Sequence, residues 1–483
     1  MRMTIERSIF CLLVAWAPMM AHAEQLLEYR LQYAASGDCC VRVQIDFPEP
    51  LKAPVSLVIP RTYPGGYEQI LYDAFVENVV ALTPQGKALT VTRETDGPRW
   101  KIGTENDLLA GISYRVNIQR MEDRIVSAVE TSKVRRGYAG LLGYSIFGYV
   151  DGTENRRIKL HIEAPSGWPV LTTLAAQAPA PLTEASAEAP DYYTLADSQV
   201  LLGPDIQIRR LAGKVPLILA IYAETSEDIA LEGQLAREAL DRVADYFGDP
   251  PLPRYTVQLE LLRPAHGHEY DFSQEHIDSG TFSFSVDRAL SGNVPQQQLS
   301  NILFNYAHHM AHSWIPKQAY GIGYRPFTWE LAPVMDTIWF NEGFARYAAI
   351  AALTNGLPQE ERFAFRQAQL LRLRRILNEA PPFIRKMPLD VLSREASFLY
   401  AVDFRTGKNV FARGALMAAE MDDFFISTSG GKRSLRDAIH ALLAWSQKNR
   451  RPFEVNEMMQ IFSESTGCDA REIFKRWMEP MTP

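Results

Sequence analysis

His308, His312 and Glu342 are the residues whose types and spacing could do chemistry. The two histidines sit four apart in the frame HHMAHSW, and Glu342 follows after a long gap in WFNEGFARY. Residues four apart on a helix project from one face, so the two imidazoles can grip one metal ion. A carboxylate from a following helix completes a three-ligand zinc set with one open position, the arrangement of metal-assisted hydrolysis. In the usual frame of such a helix, His-Glu-x-x-His, the Glu is the general base. Here that position is His309. The spacing therefore points to a metal and, at once, away from ordinary catalysis on it.

The elements that must position these residues are legible around them. Pro295 sits where a helix opens, and Leu299, Ile302, Leu303, Tyr306 and Met310 fall on one face of it, His308 and His312 on another. Before it, residues 229–246 carry an amphipathic helical pattern, and 255–262 and 281–286 read as strands. After it, 358–378, 414–426, 435–447 and 455–465 read as helices. Residues 25 to about 172 are different: LLEYRLQYAA, CCVRVQIDF, PVSLVIP, ALTVTRE, SYRVNIQ and KLHIEAP are short, partly alternating runs with Gly-rich turns such as Pro64-Gly65-Gly66 among them, the pattern of a β-sandwich. Residues 175–190, rich in Ala, Pro and Ser, read as a mobile loop or linker, and 194–222 return to β character. No repeat of fixed period is present.

The chain has 483 residues and a formal net charge of −7, which favours neither nucleic acid nor an anionic membrane as partner. Residues 1–23 read as a secretory signal peptide: Arg2 and Arg7, a short apolar run from Ile9 to Ala17, and the cleavage frame Ala21-His22-Ala23, so the mature chain is expected to begin at Glu24. A retained anchor is the alternative, and no later stretch is long and apolar enough to span a bilayer. Beyond the signal three cysteines remain, an odd number that leaves at least one unpaired. Cys39 and Cys40 point to opposite faces if they share a strand and are not expected to bond each other; one of them could bridge Cys468. His266 and His268 read as loop residues, and Asp336 and Arg346 as solvated neighbours of Glu342. The oligomeric state is not legible.

The motifs together resemble the glycyl aminopeptidase family of gluzincin zinc metallopeptidases, metallopeptidase family sixty-one. His308, His312 and Trp314 match its HExxHxW frame, and Trp339, Glu342, Gly343 and Phe344 match its Trp-x-x-Glu-Gly-Phe frame. Weaker matches run along most of the chain: Pro64-Gly65-Gly66-Tyr67, Ser166-Gly167-Trp168, Asp197-Ser198, Phe247-Gly248, Glu275-His276 with Ser279, and Arg413-Gly414-Ala415. The resemblance implies an α+β multidomain fold, with an N-terminal β-sandwich (24–215, including the 175–190 loop) followed by a thermolysin-like α/β catalytic domain (216–483) whose helical C-terminal part starts at about 355. It implies one Zn²⁺ on His308, His312 and Glu342, Glu275 on an edge strand as the residue that binds a substrate α-amine, and peptide or protein N-termini as partners. Glu275 reads equally well as a surface carboxylate.

The departures from the family are specific. His309 replaces the base, Phe272 and Ser273 replace two glycines before Glu-His, and Val410 and Phe411 replace paired tyrosines, one of which would steady the tetrahedral intermediate. No PDZ domain of the kind that often follows in the family is expected. General acid–base help is worth ~10²–10⁴ in rate and an oxyanion donor roughly 10²–10³. Four readings stay open: a metal-binding pseudopeptidase, an aminopeptidase with His309 as a doubtful base, a metal-free binding scaffold, and an unrelated hydrolase. The signal predicts export out of the cytoplasm, and the bacterial origin that the resemblance implies makes a periplasm the expected compartment.

Overall fold

A computed structural model describes residues 26–125, 130–175, 184–248, 252–265, 267 and 269–481. The signal segment, His266 and His268 lie outside the described residues.

The N-terminal half is a β-sandwich. Its larger sheet has six strands in the order Glu184–Ala189, Ile158–Glu163, Leu27–Gln32, Cys40–Lys52, Leu108–Asn117 and Val76–Leu82. Period-two alternation buries Leu27, Tyr29 and Leu31 on one face, opposite Val43 and Ile45 of the next strand. A four-stranded sheet (Tyr149–Val150, Val55–Val58, Arg99–Ile102, Val91–Arg93) contributes Leu57, Trp100 and Ile102 to the same core. Glu184–Ala189 corrects the linker reading of its segment: these residues pair with Ile158–Glu163, and Ala187 and Ala189 turn inward. Pairing and burial override the weak strand propensity of Ala and Glu.

Cys39 and Cys40 form a disulfide with each other, against expectation, and Cys468 is buried with no disulfide partner among the described residues. The strand begins at Cys40, so the opposite-face argument, which needs both residues in a strand, does not hold for Cys39.

The second half is built on a five-stranded mixed sheet, in the order Gln207–Leu211, Leu217–Ala223, Tyr255–Leu262, Ser279–Ser285 and Asp271–Glu275. Gln207–Leu211, assigned from sequence to the first domain, is hydrogen-bonded into this sheet. The middle strand Tyr255–Leu262 is buried at every position, as a strand covered on both faces must be. Helices Ile229–Phe247 and Gln296–Ala311 lie together against it, and a helical region follows from Ala345 to Met478. A fully buried ion pair, Lys133 Nζ to Glu260 Oε2 at 2.9 Å, joins the two halves. The α+β architecture expected from the motifs, a sandwich, then an α/β unit, then helices, is the one observed. One predicted helix differs in extent: the segment read as 414–426 starts at Phe404 and runs to Thr428. No helix among the described residues is long and apolar enough to cross a membrane.

Tyr306, two residues before His308, donates a hydrogen bond to Glu232 Oε2 at 2.8 Å and so ties the ligand-bearing helix to Ile229–Phe247. Burial pushes the Glu232 carboxyl up to about 8, against the lowering effect of that hydrogen bond. An acid with a raised folded-state pKa stabilises the fold fully below its unfolded value and loses that contribution as pH rises through the folded value. Glu232→Gln is therefore expected to become progressively more stable than wild type between pH 4.5 and 8, with a constant difference above. Thermal melts across that range check it, and parallel curves would refute it.

Candidate metal centre

The ligand helix Gln296–Ala311 ends with His312 as its C-cap, still in helical geometry, so His308 and His312 stay on one face. Glu342 comes from a π-helical turn, Trp339–Phe344, that runs into the helix Ala345–Thr354. Such turns recur at functional sites because the extra residue re-aims a side chain. All three residues are buried. Glu342 Oε2 lies 3.5 Å from His308 Nε2 and 3.5 Å from His312 Nε2. Vertices of a tetrahedral site with bonds of about 2.0–2.1 Å sit roughly 3.4 Å apart.

Three further observations test the fit. The Nδ1 of His312 bonds to the Ile315 carbonyl oxygen at 2.9 Å, which fixes the ring and leaves Nε2 with no hydrogen-bond partner among the described residues. Tyr67, from the sandwich, donates to Glu342 Oε1 at 2.7 Å and leaves Oε2 facing the histidines. Burial penalises the Glu342 carboxylate, yet His312 and His308 hold its pKa well below the usual range. Burial would lower His312 too, but Glu275 and Glu342 outweigh it and push it up to about 9. Burial takes His308 well below its ordinary value. The two-nitrogen, one-oxygen donor set with an orphaned imidazole nitrogen fits a zinc ion.

His309 faces the other way. Its Nε2 is 2.8 Å from Ser273 Oγ, which also contacts Asn305, and its Nδ1 is 3.5 Å from Glu275 Oε2. Ser273 and Glu275 alternate on the edge strand Asp271–Glu275 and so meet the helix on one face. Glu275 is buried, not a surface carboxylate, and its Oε1 has no hydrogen-bond partner among the described residues. The Pro64-Gly65-Gly66-Tyr67 turn explains itself here. Gly65 has φ +89°, and a side chain on it would strike Glu275 and Gln274, so only glycine lets the turn close over the edge strand and deliver Tyr67.

A cavity of about 930 Å³ opens over this cluster, lined among others by Tyr67, Ser273, Glu275, His308, His309 and Glu342. Phe411 forms part of its wall, 5.8 Å from the Tyr400 ring, with no hydroxyl to offer. Arg346 corrects its reading as solvated. It lines the cavity with its guanidinium 5.7 Å from the Phe304 ring centre, and burial lowers its pKa. Asp336 is half-buried, and burial raises its pKa. Sequence reasoning missed the Tyr67 contact with Glu342, although the Pro-Gly-x-Tyr frame that carries it was visible.

Residues 28–204 match the family described as Peptidase M61 N-terminal domain. The match covers the sandwich and stops before the second half. The zinc metallopeptidase resemblance in the motifs is borne out there and in the fold. An aminopeptidase N family protein from Idiomarina loihiensis superposes with a TM-score of 0.81 at 18% identity, covering 95% of this chain and 76% of that one. An M1 zinc metallopeptidase from Deinococcus radiodurans gives 0.52 at 14% identity, covering 95% and 94%. A mutant of it bound to a Tyr-Ser-Ala substrate gives 0.53 at 14% over the same shares. Comparison with curated proteins finds no match. With a sandwich that matches this domain family and a fold shared with these neighbours, the chain is metallopeptidase-like.

Proposed function

We propose that the chain is an exported zinc-binding protein of metallopeptidase fold that receives peptide or protein N-termini and hydrolyses them weakly or not at all. One observation carries the loss of hydrolysis: His309, at the general-base position, has its Nε2 held by Ser273 and its Nδ1 turned to Glu275 on the edge strand, 3.5 Å from Oε2. A base must hold its lone pair within hydrogen-bond reach of the proton it takes, and this lone pair is aimed at a carboxylate instead. When bound, a zinc ion would polarise a carbonyl and acidify water. The chain's own residues would hold that ion through His308, His312 and Glu342, with Tyr67 and the Ile315 carbonyl fixing the ligand orientations. Glu275, with an unpartnered oxygen in the cavity wall, suits a peptide ammonium.

A second reading, an active aminopeptidase, is favoured by the Tyr67 hydroxyl. It stands 2.7 Å from Glu342 and could assist where Phe411 cannot.

The deciding measurement is metal content of the purified mature protein. About one zinc per chain is expected, lost on His312→Ala with the fold retained by circular dichroism. Metal-free protein that takes up no added zinc would leave only the scaffold reading. Export predicts Glu24 as the mature N-terminus, and exported protein that still carried Met1 would contradict it.

A further inference from the structure

The cluster contains a second set of ligand atoms that the zinc frame does not use. Glu275, His309 and His312 each place one donor atom within 4.8 Å of the others, and so do His308, His312 and Glu342. The two triples share His312. In the second, His309 Nδ1 and Glu275 Oε2 are 3.5 Å apart, the same separation that Glu342 keeps from each of its histidines.

His309 is oriented as metal-binding histidines are. One nitrogen, Nε2, is held by Ser273 at 2.8 Å, and the other, Nδ1, is buried without a hydrogen-bond partner among the described residues. In the tautomer that donates Nε2–H to Ser273, the serine hydroxyl passes its own hydrogen to Asn305 Oδ1 at 3.3 Å, and Nδ1 keeps a bare lone pair toward Glu275. Glu275 Oε1 and His312 Nε2 are also buried without partners. Leaving several polar atoms orphaned in one place is costly, and an ion relieves the cost at all of them together.

We propose that Glu275, His309 and His312 form a second metal seat, and that a single divalent ion exchanges between it and the seat made by His308, His312 and Glu342. The inference rests on the metal-binding reading above. His312 Nε2 has one lone pair, so it serves one ion at a time, and the stoichiometry stays at about one per chain. The residue at the general-base position thereby becomes a ligand. Glu275, when engaged on the ion, is withdrawn from a peptide amine, so an ion in the second seat and a peptide N-terminus exclude each other.

The test is zinc affinity, measured by competition with a chromophoric chelator, together with the visible spectrum of the cobalt(II) form. Glu342→Gln is expected to weaken zinc binding without abolishing it. The double variant Glu342→Gln/His309→Ala is expected to lose at least a further tenfold, and His312→Ala to lose both seats. His309→Ala alone is expected to change the cobalt spectrum. This arm stands even if the Glu342 variants do not fold. Abolition of binding by Glu342→Gln in a folded protein overturns the second seat, and so does a cobalt spectrum unmoved by His309→Ala. Absence of metal binding by wild type is a separate outcome that sinks the zinc reading itself.

Discussion

Wild-type protein is expected to release amino acids from aminoacyl anilides at close to the background rate, and His309→Glu combined with Phe411→Tyr to raise that rate by ~10⁴-fold or more. The estimate multiplies the low ends of two separate losses. A positioned general base contributes ~10²–10⁴ and an oxyanion donor roughly 10²–10³. His309 does not supply the first while its Nε2 is held by Ser273 and its Nδ1 lone pair points at Glu275. Phe411 cannot supply the second, although its ring lies in the cavity wall where a tyrosine hydroxyl would be useful. His309→Glu alone should recover only part of the rate, because the intermediate would still lack its donor. The double variant should exceed the product of the single effects if base and donor act as a unit. Val410 is fully buried and does not line the cavity, so Val410→Tyr is the parallel variant expected to fail. Rapid turnover by the unaltered protein, abolished by His309→Ala, would instead make His309 a working base.

What the sequence disclosed and what it concealed divide along the range of the interactions. His308 and His312 were legible because their relation is one helical turn, and Glu342 because its frame is local. The sandwich strands were legible because alternation is a property of neighbours. The contact of Tyr67 with Glu342 spans 275 positions and two domains, and nothing in either segment announces it. Arg346 looked like a surface cation because its helix continues beyond the site, yet the cavity wall encloses it. The helix from Phe404 was read as starting ten residues late because Thr406, Gly407 and Asn409 are poor helix formers. Their burial shows tertiary packing outweighing propensity, and Gly407 seats against the Tyr400 ring. The Cys39–Cys40 bond was misjudged because the argument assumed a strand that starts one residue later. The zinc frame itself was read one element deep. Gly343 in that frame and Gly414 in the Arg413-Gly414-Ala415 frame were taken as family markers, and the physical reason for both appears only when two helices are seen crossing.

That crossing yields the second large effect. Gly414→Ala should destabilise the protein by about 3 kcal/mol and weaken zinc binding by at least tenfold. A Cβ on Gly343 would lie 2.5 Å from the Cα and carbonyl carbon of Gly414 and 2.6 Å from the nitrogen of Ala415, and a Cβ on Gly414 would press on the carbonyl oxygen of Trp339. The atoms met are backbone on both sides, so no side-chain tip can swing away, and the helices themselves must separate. The segment pushed is Trp339–Phe344, the π-helical turn that carries Glu342. A shift of the turn moves Glu342 relative to His308 and His312, which sit on a different helix and do not follow. Stability and zinc affinity should therefore fall together, a pairing that loss of packing remote from the ligands would not produce. Gly233→Ala is the control: it is also a helical glycine, but the added carbon would meet only the flexible Leu211 Cδ1 at 3.2 Å and Leu219 Cδ2 at 3.7 Å. That change should be neutral or stabilising, since alanine gains about 1 kcal/mol over glycine in a helix. A Gly414→Ala protein with wild-type melting temperature and wild-type zinc affinity would show that the helices can part without moving Glu342, and that the tight crossing is not what aims the third ligand.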